Sequence, residues 1–292
     1  VYTLYALLVS LTVLLVLILL AVPSDEPHEP EPAEPDVPAE APREAPPEAP
    51  PEVAPSAVPR LVEPGRLYLV IDDAGESLEQ IAPFLKLEFP LTVAVLPHLR
   101  DSREVAEAAA ESGRELILHQ PMEAENAADP GPGVIALANS REEIRAILDS
   151  NLSSLPPVVG VNNHMGSRVT RDAETMQAVL GELHGRGLFF LDSRTTHQTV
   201  APRVAVEVGI PFMERDVFLD HDPQREAIEA ALQQALTIAD TQGHAVMIGH
   251  AMVSELAEVF EEIYPELVER GYRFEPLSRY FEHQDNDEYS RD

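Results

Sequence analysis

Five short apolar runs, each of strand length, stop abruptly at residues able to bind a metal or move a proton. They are Leu67-Tyr68-Leu69-Val70-Ile71 into Asp72-Asp73, Leu116-Ile117-Leu118 into His119, Val158-Val159-Gly160-Val161 into Asn162-Asn163-His164, Leu188-Phe189-Phe190-Leu191 into Asp192-Ser193-Arg194, and Ala245-Val246-Met247-Ile248-Gly249 into His250. Between them the pattern is helical: 78–87, Asp101-Ser102 through Ala110 with Gly113 as the stop, Ser140–Leu152 with Glu143 at capping-box spacing, Asp172–His184, Pro223–Thr241 and Val253–Arg270. Residues 91–96, bounded by Pro90 and Pro97, and Pro211–Phe218 read as further strands. This alternation predicts an α/β fold with a parallel sheet, an irregular (β/α) barrel of about seven strands. In such architectures the carboxyl ends of the strands converge on one face. Two carboxylates and three histidines meeting there would make a metal centre with a spare acid and base.

The N-terminal part reads differently. Residues 1–22 carry no charge and are dominated by Leu, Val and Ala; as a helix they would cross a hydrocarbon layer ~30 Å thick, which predicts a transmembrane anchor or uncleaved signal. Residues 23–64 hold eleven acids and fourteen prolines with almost no large apolar side chain. They predict a disordered Pro/Glu-rich linker reaching up to roughly 130 Å at ~3.1 Å per residue. The folded domain is assigned to 65–283 and an acidic tail to 284–292. Setting the linker aside leaves roughly 220 residues, enough for one sizeable core.

Composition narrows the chemistry. With 51 Asp+Glu against 20 Lys+Arg, a net charge of −31 and no basic patch, the chain is unsuited to nucleic acid. The absence of cysteine excludes thiolate ligands, disulfides and a Cys nucleophile. A metal site here must use His, Asp and Glu, which suits Zn²⁺ and also Mn²⁺, Co²⁺, Ni²⁺ or Fe²⁺.

The stretches Val70-Ile71-Asp72-Asp73-Ala74-Gly75, His119-Gln120-Pro121-Met122-Glu123, Asn162-Asn163-His164-Met165-Gly166-Ser167, Asp192-Ser193-Arg194-Thr195-Thr196 and Ile248-Gly249-His250-Ala251 resemble, in order, the signature blocks of the divergent polysaccharide deacetylase family. The resemblance runs from Leu67 to Phe274. It implies a NodB-like deacetylase barrel, one divalent metal ion, with Zn²⁺ foremost, and N-deacetylation of acetylated amino sugars. Carried onto this chain, it implies Asp72 as general base, Asp73 as a metal ligand and His250 as general acid. The wider carbohydrate esterase superfamily supplies two further metal histidines four residues apart; His119 matches the first, but Glu123 stands where the second belongs. His164, which also ends a strand-like run, is the expected third ligand, with Glu123 as the alternative. Asn162 and Asn163 are expected to bind substrate or close a turn, Asp192 to orient a histidine, and Arg194 to pair with Asp72.

The expected function is metal-dependent removal of N-acetyl or O-acetyl groups from a cell-envelope polysaccharide or peptidoglycan. The anchor and linker would hold the domain on the periplasmic side of the inner membrane, with an N-acetylated envelope glycan as substrate. The alternative is a catalytically silent envelope protein of the same fold that binds glycan or a cell-wall enzyme.

Overall fold

The computed structural model describes residues 65–289, with side chains as far as His283. The expected anchor, the linker and the last residues of the acidic tail lie outside the described residues. Among the described residues no helix is long and apolar enough to cross a membrane.

Among the described residues nine strands form one curled parallel sheet: β1 (Arg66–Ala74), β2 (Thr92–Val95), β3 (Glu115–Met122), β4 (Gly160–Met165), β5 (Phe189–Asp192), β6 (Phe212–Glu214), β7 (Val217–Phe218), β8 (His244–His250) and β9 (Arg273–Phe274). Their order is β6-β5-β4-β3-β2-β1-β8-β7, with β9 paired to β1. Seven helices return the chain between strands: α1 (Leu78–Leu85), α2 (Ser102–Glu111), α3 (Arg141–Ser153), α4 (Ala173–His184), α5 (Ala201–Val208), α6 (Arg225–Gln242) and α7 (Ser254–Glu269). Local chemistry sets their starts. Ser77 and Asp172 accept backbone N–H bonds at the first turns of α1 and α4, and Ser140 and Glu143 form the reciprocal capping box of α3.

Alternation along the strands divides the interior in two. Leu67, Leu69 and Ile71 of β1 pack outward against helix residues such as Ile81, Phe84, Leu236 and Phe260. Tyr68 and Val70 face the other way, with Ala94, Ile117, Leu191, Met213, Val246 and Ile248, in a smaller core inside the curl. A last helix, α8 (Ser278–Tyr289), closes the floor of this inner core with Tyr280 and Phe281. Their rings lie 5.7 Å from Tyr68 and 5.2 Å from Phe189. The Glu115 carboxylate accepts from Ser278 N and so fixes the start of α8. This helix extends through positions that the sequence pattern assigns to a tail.

The single strand expected over Pro211–Phe218 is instead two, on opposite edges of the sheet. Phe212–Glu214 pairs with β5 and Val217–Phe218 with β8. The switch falls between neighbours: Arg215 N donates to Asp192 O at 3.0 Å, and Asp216 N to Val246 O at 2.9 Å. Burial alone does not reveal such a switch, because both halves are apolar and both pair in parallel. The same segment thereby joins the two edges of the curl. Above it, the end of β5 and β7 are bridged by a side chain: Arg215 donates from Nε to Ser193 O at 2.8 Å and from Nη2 to Arg194 O at 3.1 Å, and lies 3.7 Å over the Phe218 ring.

Gly160 shows how tightly the inner face is packed. A Cβ there would sit 2.3 Å from the Phe189 ring of the neighbouring strand, so Gly160→Ala is expected to cost about 1–3 kcal/mol. A lowered midpoint in urea unfolding would register it; an unchanged midpoint would mean that the ring moves aside freely.

Candidate metal centre

Inner-face parity carries through to the carboxyl ends of the strands. Tyr68 and Val70 lead to Asp72, Ile117 to His119, Leu191 to Ser193, and Val246 and Ile248 to His250. On β4, Gly160 beneath the Phe189 ring leads to Asn162 and His164. Asp73 has the opposite parity and would face the helices in a regular strand. A register shift against β2 between Ile71 and Ala74, with Asp73 at φ +58°, turns it back to the mouth. Asp is among the few residues other than glycine that adopt this left-handed conformation readily. Asp72 Oδ2 and Asp73 Oδ1 consequently lie 3.6 and 3.1 Å from the same atom, His119 Nε2.

Three donor atoms close on a common point. Asp73 Oδ1 is 2.8 Å from His164 Nδ1 and 3.1 Å from His119 Nε2, and the two nitrogens are 3.2 Å apart. Neither approach to Asp73 Oδ1 has hydrogen-bond geometry, so this buried oxygen lacks a donor. Donors on a tetrahedral ion with ~2.1 Å bonds stand roughly 3.4 Å apart, close to this spacing. The electrostatics point the same way. Burial works against a charged His119, but Asp72 and Asp73 outweigh it and raise its pKa. Burial pushes the Asp73 carboxyl up, yet His119 and His164 outweigh it and hold it well below the usual carboxylate range. The field therefore favours positive charge at this point, and Asp73, His119 and His164 could hold a metal ion. Glu123 is outside the group: its carboxylate takes Arg168 Nη1 at 2.6 Å and Leu137 N at 3.0 Å.

Two groups flank the donors. Asp72 is buried, which, against the pull of His119 and His250, raises its pKa. Its Oδ1 accepts from Asn162 Nδ2 at 2.8 Å, and Asn162 Oδ1 lies 2.8 Å from His119 Nδ1. His250, on the other side of β1 in strand order, sits with Nδ1 2.8 Å from Asp220 Oδ1 and its backbone N donating to Asp220 Oδ2 at 2.6 Å. Burial opposes a charge on His250, but Asp220 outweighs it and lifts the pKa to about 9. The Phe218 ring stacks at 5.7 Å on the His250 imidazole.

Of the three supporting residues named from sequence, Asp192 and Arg194 take other places, while Asn163 takes the turn-closing one of its two expected roles. Asp192 orients no histidine: it shares the parity of outward-facing Phe190 and accepts from Thr199 Oγ1 at 2.7 Å and Arg194 N at 2.8 Å. Arg194 does not pair with Asp72; it donates to Glu214 Oε1 at 2.7 Å, outside the curl. Asn163 ties the turn, donating to Met165 O and accepting from Ser193 N. The residue that holds a histidine, Asp220, was missed. Its signal was present: Val217-Phe218-Leu219 is one more short apolar run ending in an acid.

Comparison with known proteins identifies the fold and the family. An Agrobacterium tumefaciens protein of uncharacterised function, known from its crystal structure, shares the fold with a TM-score of 0.69 at 21% identity, over 75% of this chain and 89% of that one. An uncharacterised Haemophilus influenzae protein is 30% identical over 192 residues, 66% of this chain and 69% of its own length. YibQ of Escherichia coli, also uncharacterised, is 35% identical over 207 residues, 70% of this chain; the match spans 65% of YibQ, just under two thirds. The model of one family, described as divergent polysaccharide deacetylase, matches residues 69–281, from within the first strand to the floor helix and across every residue of the mouth described above. The chain belongs to the divergent polysaccharide deacetylase family.

Proposed function

We propose that this domain hydrolyses N-acetyl groups, or O-acetyl groups, on a cell-envelope polysaccharide or peptidoglycan. The observation that carries the reading is the convergence of Asp73, His119 and His164 beside a buried carboxylate, Asp72, with the Asp220-held His250 in register with Asp72 on the neighbouring strand. A divalent cation in that donor set supplies Lewis acidity, acidifying water and polarising an amide carbonyl. Two histidines and one carboxylate suit Zn²⁺, with Mn²⁺, Co²⁺, Ni²⁺ and Fe²⁺ also accepted by such ligands.

Asp72 takes the proton of the attacking water; its position 3.6 Å from His119 Nε2 puts it beside the donors without making it one of the three. His250, cationic at neutral pH because of Asp220, gives its proton to the departing nitrogen as the carbon–nitrogen bond breaks. Acetate and a free amine result. The apolar stretch 1–22 and the linker 23–64 support an envelope location, with the domain held on the periplasmic side of the inner membrane. The Glu123 departure favours a second reading, a silent glycan-binding or enzyme-binding protein.

Metal content separates the two. Elemental analysis of protein purified without chelator or affinity-tag metal is expected to give about one divalent ion per chain, absent from the His119→Ala/His164→Ala double variant, together with acetate release from acetylated glycans. No ion even after reconstitution would move the reading to the silent protein.

A further inference from the structure

We propose that Asn162 is a positioning residue whose single carboxamide fixes the metal-facing nitrogen of His119 and the rotamer of Asp72 together. The inference rests on the metal-centre reading above. Asn162 is fully buried, and its neighbours set which way the amide faces. Nδ2 donates to Asp72 Oδ1 at 2.8 Å and to Ser193 Oγ at 3.2 Å, which uses both of its hydrogens. Oδ1 then faces His119 Nδ1 at 2.8 Å. Turned over, the amide would lose its donation to the Asp72 carboxylate.

An amide oxygen only accepts, so His119 must carry a proton on Nδ1 to make this bond. That leaves the Nε2 lone pair for the centre, where Nε2 already lies 3.1 Å from Asp73 Oδ1 and 3.2 Å from His164 Nδ1. The other end of the same amide occupies Asp72 Oδ1 and leaves Oδ2 on the His119 side, 3.6 Å from Nε2. His119 and Asp72 stand on strands separated by β2, so no backbone ladder sets the spacing of these two side chains directly. One planar group reaching over from β4 sets it instead.

The test is zinc affinity by competition with a chromophoric chelator, alongside acetate release, on the full chain and two variants. Asn162→Leu removes both bonds at similar volume and is expected to weaken zinc binding about 10–100-fold. Asn162→Asp keeps an acceptor against His119 Nδ1 but sets like charge against Asp72. It is expected to hold zinc within about threefold of wild type while kcat falls about 100-fold at unchanged KM. Wild-type affinity in Asn162→Leu would overturn the proposal. Equal weakening in both variants would overturn it too, by assigning the loss to packing. Failure of the wild-type chain to bind zinc at all would instead overturn the metal-centre reading itself.

Discussion

Asp72→Asn is expected to lower acetate release about 10²–10⁴-fold, the usual contribution of a positioned general base, while metal content stays at the wild-type level. The substitution keeps shape, and its amide oxygen still accepts from Asn162 Nδ2 in place of Asp72 Oδ1. None of the three donors at the centre is altered, since Asp72 is not among them. What disappears is the ability to take a proton from water. Elemental analysis beside an acetate assay reads both halves. Full turnover would strip Asp72 of the role, and loss of the ion would recast it as a ligand.

The second large effect is expected from Asp220→Asn, through His250. Burial disfavours the cationic imidazole, and the Asp220 carboxylate at 2.8 Å overrides it, so His250 stays protonated up to about 9. Without that charge the pKa falls towards its ordinary value near ~6.5, and the protonated fraction at pH 8 drops roughly 30-fold. The alkaline limb of the pH–rate profile should move down accordingly; an unmoved limb would remove His250 as the acid. The same pair has a stability signature. Because the folded-state pKa is raised, its contribution is complete below about pH 6.5 and is lost as pH rises through about 9. The variant should therefore lose more stability relative to the parent at pH 6 than it does above that range.

The fold was legible in the sequence because its strands are short, buried and punctuated. Runs such as Leu67–Ile71 and Ala245–Gly249 end where chemistry begins, and period-two alternation carries the inner parity onto Asp72, His119 and His250. Where parity was invisible, the reading failed. Phe189-Phe190 is apolar on both faces of the sheet, so nothing in the run says that Asp192 belongs with outward Phe190 rather than inward Leu191. Asp73, expected as a ligand from the resemblance and not from parity, does stand at the mouth, because a bulge that no residue pattern announces breaks the alternation. The bonding of Asn162 was hidden for another reason: its partners His119 and Asp72 lie 43 and 90 residues away in the chain. Asp220 escaped because the switch at Arg215-Asp216 made two strands look like one.

That switch leaves the rim of the barrel unequal around its circumference. Elsewhere each neighbouring strand is held by a ladder that cannot part without giving up several bonds at once, but between the end of β5 and β7 the rim is made of the Arg215 guanidinium. A side chain can leave by rotating about its own bonds and return again. On the side where Phe218 backs His250, the rim is therefore closed by side-chain bonds and by the crossing segment itself rather than by a strand ladder.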